Sequence, residues 1–253
     1  MNLCIFHSVN SGLYLWDGER GLLIDGVFDG REQGLSAMPR VLGEQLNRRE
    51  GLFAHVDGAL FTHLHADHFW RPGLCRLLEG PNPPAVYGPG LAETGVSSRP
   101  ERPGISRIQL PGATVWSRDT LHEGRCYQDT PHQSYLIRMG GSTAFVAGDA
   151  VLQVEDAEAF SGLCDGEIEL GFFNPYQLVS LQSREFLQIL RPNRILLVHL
   201  PFQEDDRYHY WSFAKQCVRK FSGWTPTLEV VPHMAWLDGK SAAWAPNTDA
   251  PFD

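Results

Sequence analysis

Four side chains that can bind a metal ion lie in the short segment 63–68, whose sequence is HLHADH. They are His63, His65, Asp67 and His68. Imidazole and carboxylate ligands in this ratio suit zinc, iron or manganese better than calcium or magnesium. In an extended chain, residues two apart point the same way, so we expect His63 and His65 to converge on one ion. Asp67 and His68 are adjacent and diverge, so we expect them to reach a second ion beside the first.

The residues before this motif predict how the chain positions it. Residues 56–62, VDGALFT, are mostly apolar and end at Thr62, which is typical of a buried strand. The motif therefore begins where a strand gives way to a loop. Such a position on a rigid scaffold is a common place for functional side chains.

The strand and the motif together resemble the metallo-β-lactamase superfamily, in which H-x-H-x-D-H follows a hydrophobic strand ending in Thr. The motif is highly specific for that fold and weakly specific for the reaction. The resemblance implies a four-layer αββα sandwich of the α/β class, with metals at one edge between the two sheets. We expect one such domain over residues 1–253, built of two similar halves that meet near residues 110–150.

The resemblance also implies further residues of the site. Asp149 follows an apolar run and Gly148, and it matches the carboxylate that bridges two metals in the family. His199 ends the strand-like run 195–198 and matches the final ligand, which binds the second metal. Asp25 ends another predicted strand and matches a carboxylate that supports the metal site from behind.

The remaining histidine ligand has two candidates, His122 and His132. Many family members carry H-x-x-G-H-x-S before the next strand, and there the first His binds metal. His132 matches the second His of that pattern, but Gln128 stands where the first would be. We favour His122, which requires an enlarged loop at 123–131, and His132 remains the alternative. Whichever of the two is not a ligand is a candidate general acid or substrate contact.

The predicted site thus binds two divalent ions, with zinc favoured over manganese or iron. The predicted catalytic residues are Asp67, as a proton acceptor as well as a ligand, and His132. The predicted metal ligands are His63, His65 and His122 for one ion, Asp67, His68 and His199 for the other, and Asp149 between them.

Composition limits the substrate. The chain has 253 residues and a formal charge of −9, from 21 Lys and Arg against 30 Asp and Glu. It therefore lacks the basic balance typical of proteins that bind long nucleic acids. We expect a metal-dependent hydrolase of a small ester, lactone or phosphodiester.

Three alternatives remain open. One is an iron-dependent redox member of the same superfamily, although flavodiiron-type members usually carry Glu where His65 stands and bring a flavin domain. Another is a phosphodiesterase or nuclease that acts on nucleic acid. The last is a binding protein that kept the fold and lost the metals, against which the intact ligand set argues.

The five cysteines are dispersed and form no C-x-x-C pair, so we expect reduced thiols and a cytoplasmic location. The N-terminal residues show no export signal, and we expect no membrane-spanning segment. The partner we expect is a small-molecule substrate.

The remaining pattern predicts the elements around the site. Aromatic candidates for its pocket are Trp70, Phe173, Tyr176 and Phe202, and anion contacts could come from Arg71 and Arg125. Helices are predicted at 39–50, 155–160, 181–190 and 204–221, and strands at 113–121, 135–139, 143–147, 167–170, 194–198 and 228–231.

Overall fold

The computed structural model describes residues 3–29, 34–79, 82–95, 104–221 and 227–246. Within these residues the chain forms two seven-stranded sheets, with helices against the outer face of each. The predicted αββα sandwich is confirmed. None of the helices in the described residues is long and apolar enough to cross a membrane.

The first sheet contains the first five strands of the chain and the last two, and the second sheet contains the seven strands between them. In chain order, the strands are β1 (Cys4–His7), β2 (Leu13–Trp16), β3 (Gly21–Ile24), β4 (Val56–Leu60), β5 (Ala85–Tyr87), β6 (Ile105–Leu110), β7 (Ala113–Asp119), β8 (Gln133–Met139), β9 (Ser142–Val146), β10 (Leu170–Phe173), β11 (Arg194–Leu197), β12 (Thr227–Val230), β13 (Ala235–Leu237) and β14 (Trp244–Pro246). The first sheet has the order β14-β13-β1-β2-β3-β4-β5, and the second β12-β11-β10-β9-β8-β7-β6.

Helices cover both outer faces. The α-helices are α1 (Arg40–Arg48), α2 (Arg71–Leu78), α3 (Val154–Ser161), α4 (Leu181–Leu190) and α5 (Tyr210–Phe221). Short 3-10 helices lie at Gly51–His55, Leu91–Thr94, Arg125–Tyr127 and Pro175–Leu178. The first two α-helices pack on the first sheet, and the other three pack on the second.

Each sheet buries both of its faces, because alternate side chains of a strand point to opposite sides. In β2, Leu13 and Leu15 lie in the core between the sheets, while Tyr14 and Trp16 face the helices. A strand covered on both faces is apolar throughout rather than alternating, which is why β2 contains no polar residue other than a tyrosine.

One edge of the sandwich collects the loops that follow several strands. In the first sheet, β3 runs parallel to β4, so both carboxyl ends lie at the same edge. In the second sheet, β9, β10 and β11 are parallel, and β7 shares their direction because β8 is antiparallel to both β7 and β9. The segments after these strands therefore meet, and they carry the predicted ligands.

Three predicted boundaries were wrong by more than two residues. The chain passes from the first sheet to the second between β5 and β6, and it returns with β13, so the halves do not meet at 110–150. The last helix begins at Tyr210 rather than 204, because the Asp206 carboxylate accepts hydrogen bonds from the first backbone N–H groups of α5. Strand β10 occupies Leu170–Phe173 rather than 167–170, since those residues pair with β9 on one side and β11 on the other.

Candidate metal centre

All seven predicted ligands lie together at this edge of the sandwich, in two groups. Within each group, one possible ligand atom per residue lies within 4.8 Å of the others. The first group contains His63, His65 and His122, and the second contains Asp67, His68, Asp149 and His199.

Asp149 faces both groups. Its Oδ2 atom lies 3.2 Å from Nε2 of His199 and 3.6 Å from Nε2 of His68, in the second group. The same oxygen lies 3.9 Å from Nε2 of His122 and 4.0 Å from Nε2 of His63, in the first group. One carboxylate oxygen directed at four imidazole nitrogens occupies the place expected of a bridging ligand.

The HLHADH segment folds as a tight turn that supplies side chains to both groups. The backbone N–H of His68 donates to the carbonyl of His65 at 2.9 Å. Nε2 of His63 lies 3.0 Å from Nδ1 of His65 in the first group. In the second group, Oδ2 of Asp67 lies 3.0 Å from Nε2 of His199 and 3.1 Å from Nε2 of His68.

Asp25 fixes the turn from behind, as the sequence predicted for a supporting carboxylate. Its Oδ1 accepts the backbone N–H of Thr62 at 2.8 Å, and its Oδ2 accepts the Thr62 hydroxyl at 2.7 Å. The same Oδ2 accepts Nδ1–H of His68 at 2.8 Å, which directs Nε2 of that ring to the second group. Orientation of a ligand imidazole by a carboxylate on its other nitrogen is typical of metal sites.

His122 belongs to the first group because the chain after β7 is tied to the chain after β9. His122 pairs as an isolated bridge with Ala150, and the N–H of Glu123 donates to the carbonyl of Asp149 at 2.7 Å. Nδ1–H of His122 donates to the carbonyl of Glu123 at 2.6 Å, so Nε2 faces the group.

His132 lies outside both groups, and its two ring nitrogens are engaged elsewhere. Nε2 accepts the backbone N–H of Asp149 at 3.0 Å, so the ring hydrogen is on Nδ1 and is donated to the Thr120 hydroxyl at 2.7 Å. The chain of bonds continues from Thr120 to Ser134 and from Ser134 to the carbonyl of Ala147. The buried ring therefore supports the Asp149 loop, and this geometry does not match the expected substrate contact.

The donor set fits divalent ions of the predicted kind. Nε2 of His68 and Nε2 of His122 are buried and have no hydrogen-bond partner among the described residues. A buried polar atom without a partner is costly, and a metal ion would satisfy each of these nitrogens. Neutral imidazoles with carboxylates are the ligands that zinc, iron and manganese accept.

Burial and neighbouring charges shift the pKa values of the predicted ligands. Burial, reinforced by His68, holds the pKa of His63 well below its ordinary value, so this ring is neutral. Burial alone would raise the pKa of Asp67 and Asp149, but the neighbouring His68 and His199 outweigh it and lower both pKa values. Burial opposes protonation of His199, but Asp149 and Asp67 raise its pKa to about 10. A cation would replace that proton, because metal ligands must be deprotonated.

Tyr127 and Glu123 border the first group and were missed by the sequence analysis. The Tyr127 ring is centred 4.9 Å from the His65 ring and 5.3 Å from the His122 ring, and it is partly exposed. Burial, with a contribution from Asp149, raises the pKa of Glu123 to about 7. Both residues lie in the 120–132 connection. The enlarged loop expected at 123–131 was the only sequence signal for them.

Asn174 touches the second group and was also missed. Its Nδ2 lies 3.4 Å from Oδ1 of Asp149 and 3.3 Å from Nδ1 of His199. Its Oδ1 accepts the N–H of Tyr176, so the orientation of the amide is fixed. A polar residue directly after β10 was the available signal, since the neighbouring strands β9 and β11 are both followed by predicted ligands.

The four aromatic residues predicted for the pocket pack in different parts of the structure. Phe173 is fully buried in the core under the second-sheet helices. Phe202 packs on His233 at 5.1 Å between ring centres, and the Arg76 guanidinium lies 5.1 Å from the centre of the Trp70 ring. Tyr176 stacks on Phe213 at 4.5 Å.

Comparison with known proteins supports the fold. No family model matches the chain. A protein of Pyrococcus abyssi described as a metal-dependent hydrolase is 24% identical over 196 residues, which cover 72% of this chain and 78% of that protein. The metallo-β-lactamase fold protein YhfI from Bacillus subtilis superposes with a TM-score of 0.62 at 15% identity, over 91% of this chain and 96% of that one.

A longer protein contains a similar unit. CmlA, a diiron β-hydroxylase from Streptomyces venezuelae, superposes with a TM-score of 0.64 at 16% identity. The match covers 92% of this chain and 53% of CmlA, so this chain spans about half the length of that protein. At these identities, the likeness concerns the fold alone.

Proposed function

We propose that this chain, which has the metallo-β-lactamase fold, is a metal-dependent hydrolase that binds two divalent ions. The observation that carries the proposal is the Oδ2 atom of Asp149, which lies within 4.0 Å of imidazole nitrogens from both ligand groups. The description of the Pyrococcus abyssi relative as a metal-dependent hydrolase supports the same activity.

Divalent ions bound in such a pair supply a hydroxide nucleophile near neutral pH and polarise a carbonyl or phosphoryl oxygen. The residues of this chain would hold the ions and accept the proton that the attacking water loses. Asp67 is the proton acceptor we propose, because, despite burial, His68 and His199 lower its pKa and keep its carboxylate ionised within the second group. His132 and Asp25 would keep the ligands in place without contacting the substrate.

For the substrate, we propose a small ester, lactone or phosphodiester. The partly exposed ring of Tyr127 borders the His65 and His122 side of the site and offers a flat surface for an apolar group. The formal charge of −9 disfavours a long polyanion, so phosphodiester cleavage in nucleic acid is the weaker alternative.

An iron-dependent oxidation is the second candidate function, and the fold shared with the diiron β-hydroxylase CmlA supports it. The imidazole-rich set, with His65 in the first group, favours zinc and hydrolysis instead. The identity of the bound metal separates the two functions.

The deciding experiment is metal analysis of protein purified without chelator, followed by assay on aryl phosphodiesters, lactones and thioesters. We expect two zinc or manganese ions per chain and hydrolysis that is lost with chelator and restored by the metal. His63→Ala should lose activity, while His55→Ala, an exposed residue at the opposite end of β4, should retain it. Fewer than one ion per chain after reconstitution would overturn the proposal, and iron with oxygen consumption would favour the redox function.

We also propose that residues 1–253 form one domain, because the core between the sheets contains residues of both sheets. We further propose reduced thiols and a cytoplasmic location, since the five cysteines are dispersed in the sequence and none is paired in the structure.

A further inference from the structure

His199, the last predicted ligand, is held in an unusual backbone conformation. Its φ is +62°, in the left-handed region that residues with a Cβ rarely adopt. Asn10, in the connection between β1 and β2, also has a left-handed φ, of +55°. Such conformations persist only where the surroundings impose them, and they cluster at functional sites.

The two residues face each other through their backbones. The carbonyl of Asn10 accepts the N–H of His199 at 2.7 Å, and the N–H of Asn10 donates to the carbonyl of Leu200 at 3.0 Å. This pairing forms an isolated bridge between the β1–β2 connection and the segment after β11. The direction of the His199 ring therefore depends on where the Asn10 backbone lies.

The side chain of Asn10 fixes that backbone to a third segment. Its Oδ1 accepts the N–H of Ser36 at 3.1 Å, and its Nδ2 donates to the carbonyl of Ser36 at 2.8 Å. The Ser36 hydroxyl in turn accepts the N–H of Phe202 at 2.8 Å and donates to Asp205 at 2.6 Å. Asn10 and Ser36 are both buried, so these bonds are protected from water.

We propose that Asn10 is the positioning residue for His199, and that its side-chain pair with Ser36 holds the ligand turn. The part of this inference that concerns metal affinity rests on the proposed function, whereas the part that concerns the His199 turn does not. Asn is suited to this place because its short amide pairs with a main chain and it tolerates a left-handed φ. No other residue type combines the two properties with the same reach.

The test compares Asn10→Ala, Asn10→Gly and the matched control Asn193→Ala, which removes a surface amide bonded to Glu167. The first readout is hydrogen exchange at the His199 amide after chelator treatment, with the His68 amide, bonded to His65, as internal reference. The second readout is calorimetric titration with Zn²⁺, which resolves the affinities of the two ions.

We expect both Asn10 variants to exchange the His199 amide at least about 10-fold faster, with the His68 reference unchanged. The affinity of the second ion should fall about 10–100-fold, as for other residues that orient a ligand, while the first ion binds as before. If Asn10→Ala does not fold, Asn10→Gly carries the test, because Gly adopts the same φ freely.

Wild-type exchange and affinity in Asn10→Gly would overturn the proposal, since the side-chain pair would then be dispensable. An equal acceleration at the His68 amide would also overturn it, because the effect would be a general loss of stability. If the wild-type chain binds no second ion, the proposed function fails, but the exchange readout still decides the role of Asn10.

Discussion

The backbone N–H of Asp149 donates a hydrogen bond to Nε2 of His132 across 3.0 Å. A backbone N–H can only donate, so Nε2 of His132 must be an acceptor and cannot also bind a metal in this arrangement. The ring that the sequence left as an alternative ligand instead supports the carboxylate between the two ligand groups.

The first prediction separates the two histidines. His122→Ala should lose the ion of the first group along with activity, because Nε2 of His122 is aimed into that group. His132→Ala should keep most of the metal while activity falls, since only the support of Asp149 is removed. Metal content after dialysis, measured beside kcat, checks both, with His55→Ala as the control.

Metal lost only in His132→Ala would transfer the ligand role to that residue. In that case His122 would be an ordinary loop residue, and the loop at 123–131 would have a different arrangement in the metal-loaded protein.

The second prediction concerns Asp25. Asp25→Asn replaces one acceptor oxygen by an N–H donor, which conflicts with the donors that Thr62 and His68 direct at it. We expect about 10–100-fold weaker binding of the second ion and about 1–3 kcal/mol lower free energy of unfolding. Asp57→Asn, at a partly exposed carboxylate that pairs with Arg20 and accepts the N–H of Gly21, is the matched control away from the site. Unchanged metal affinity in Asp25→Asn would show that His68 does not need this orientation.

The third prediction concerns Tyr127, whose ring borders His65 and His122. Tyr127→Ala should raise KM for an aryl ester about 2–10-fold, because it removes one aromatic contact that contributes about 0.5–1.5 kcal/mol. Metal content should not change, and Tyr127→Phe should retain the wild-type KM because the ring remains. A fall in kcat at constant KM would instead assign Tyr127 a role in the reaction or in holding the metal.

The fourth prediction is a pH dependence of stability that comes from His7. This ring is fully buried, and burial lowers its pKa below 6.5 despite the carbonyls of Pro232 and Asn10 beside it. Below pH 6.5 the unfolded chain therefore binds a proton that the folded chain does not. The contribution of the neutral His7 ring to the free energy of unfolding is therefore complete above pH 6.5. It decreases as the pH falls, by at most about 1.4 kcal/mol per pH unit.

Urea unfolding with chelator at pH 7.5 and 5.0 measures this effect. His7→Gln should reduce the loss of stability between the two values, whereas the exposed control His55→Gln should not change it. Identical pH dependence in wild type and His7→Gln would mean that His7 is protonated in the folded chain.

The sequence predicted the fold and seven candidate ligands, largely through the resemblance of the HLHADH segment and the strand before it to the metallo-β-lactamase superfamily. The HLHADH segment places its ligands by local geometry, and the strand before it is apolar because the first sheet is covered on both faces. Helix α4 was predicted at its observed bounds, Leu181–Leu190, with Pro192 after its end, and in the structure the Ser180 side chain caps its start. Asp149 and His199 were expected because the residues around them, near the ends of two apolar runs, match ligand positions of that superfamily.

Strand β10 and the start of α5 were not determined locally. The residues 167–170 alternate as a strand should, but pairing with β9 and β11 on both sides selected Leu170–Phe173. Propensity predicted a helix from 204, and the Asp206 cap placed its start at Tyr210. The position of β10 depends on strands that are distant in sequence. The start of α5 depends on one capping side chain among several similar ones.

Only the tertiary structure separates the positions of His122 and His132 and brings Asn10 to His199. Both histidines precede β8. The backbone of His122 pairs with Ala150 after β9, whereas the ring of His132 accepts the N–H of Asp149. Asn10 looks like an ordinary turn residue, since its partners Ser36, His199 and Leu200 come from distant segments. Ligand types follow from local composition, but their orientation follows from hydrogen bonds between loops, which form only when the two sheets are packed together.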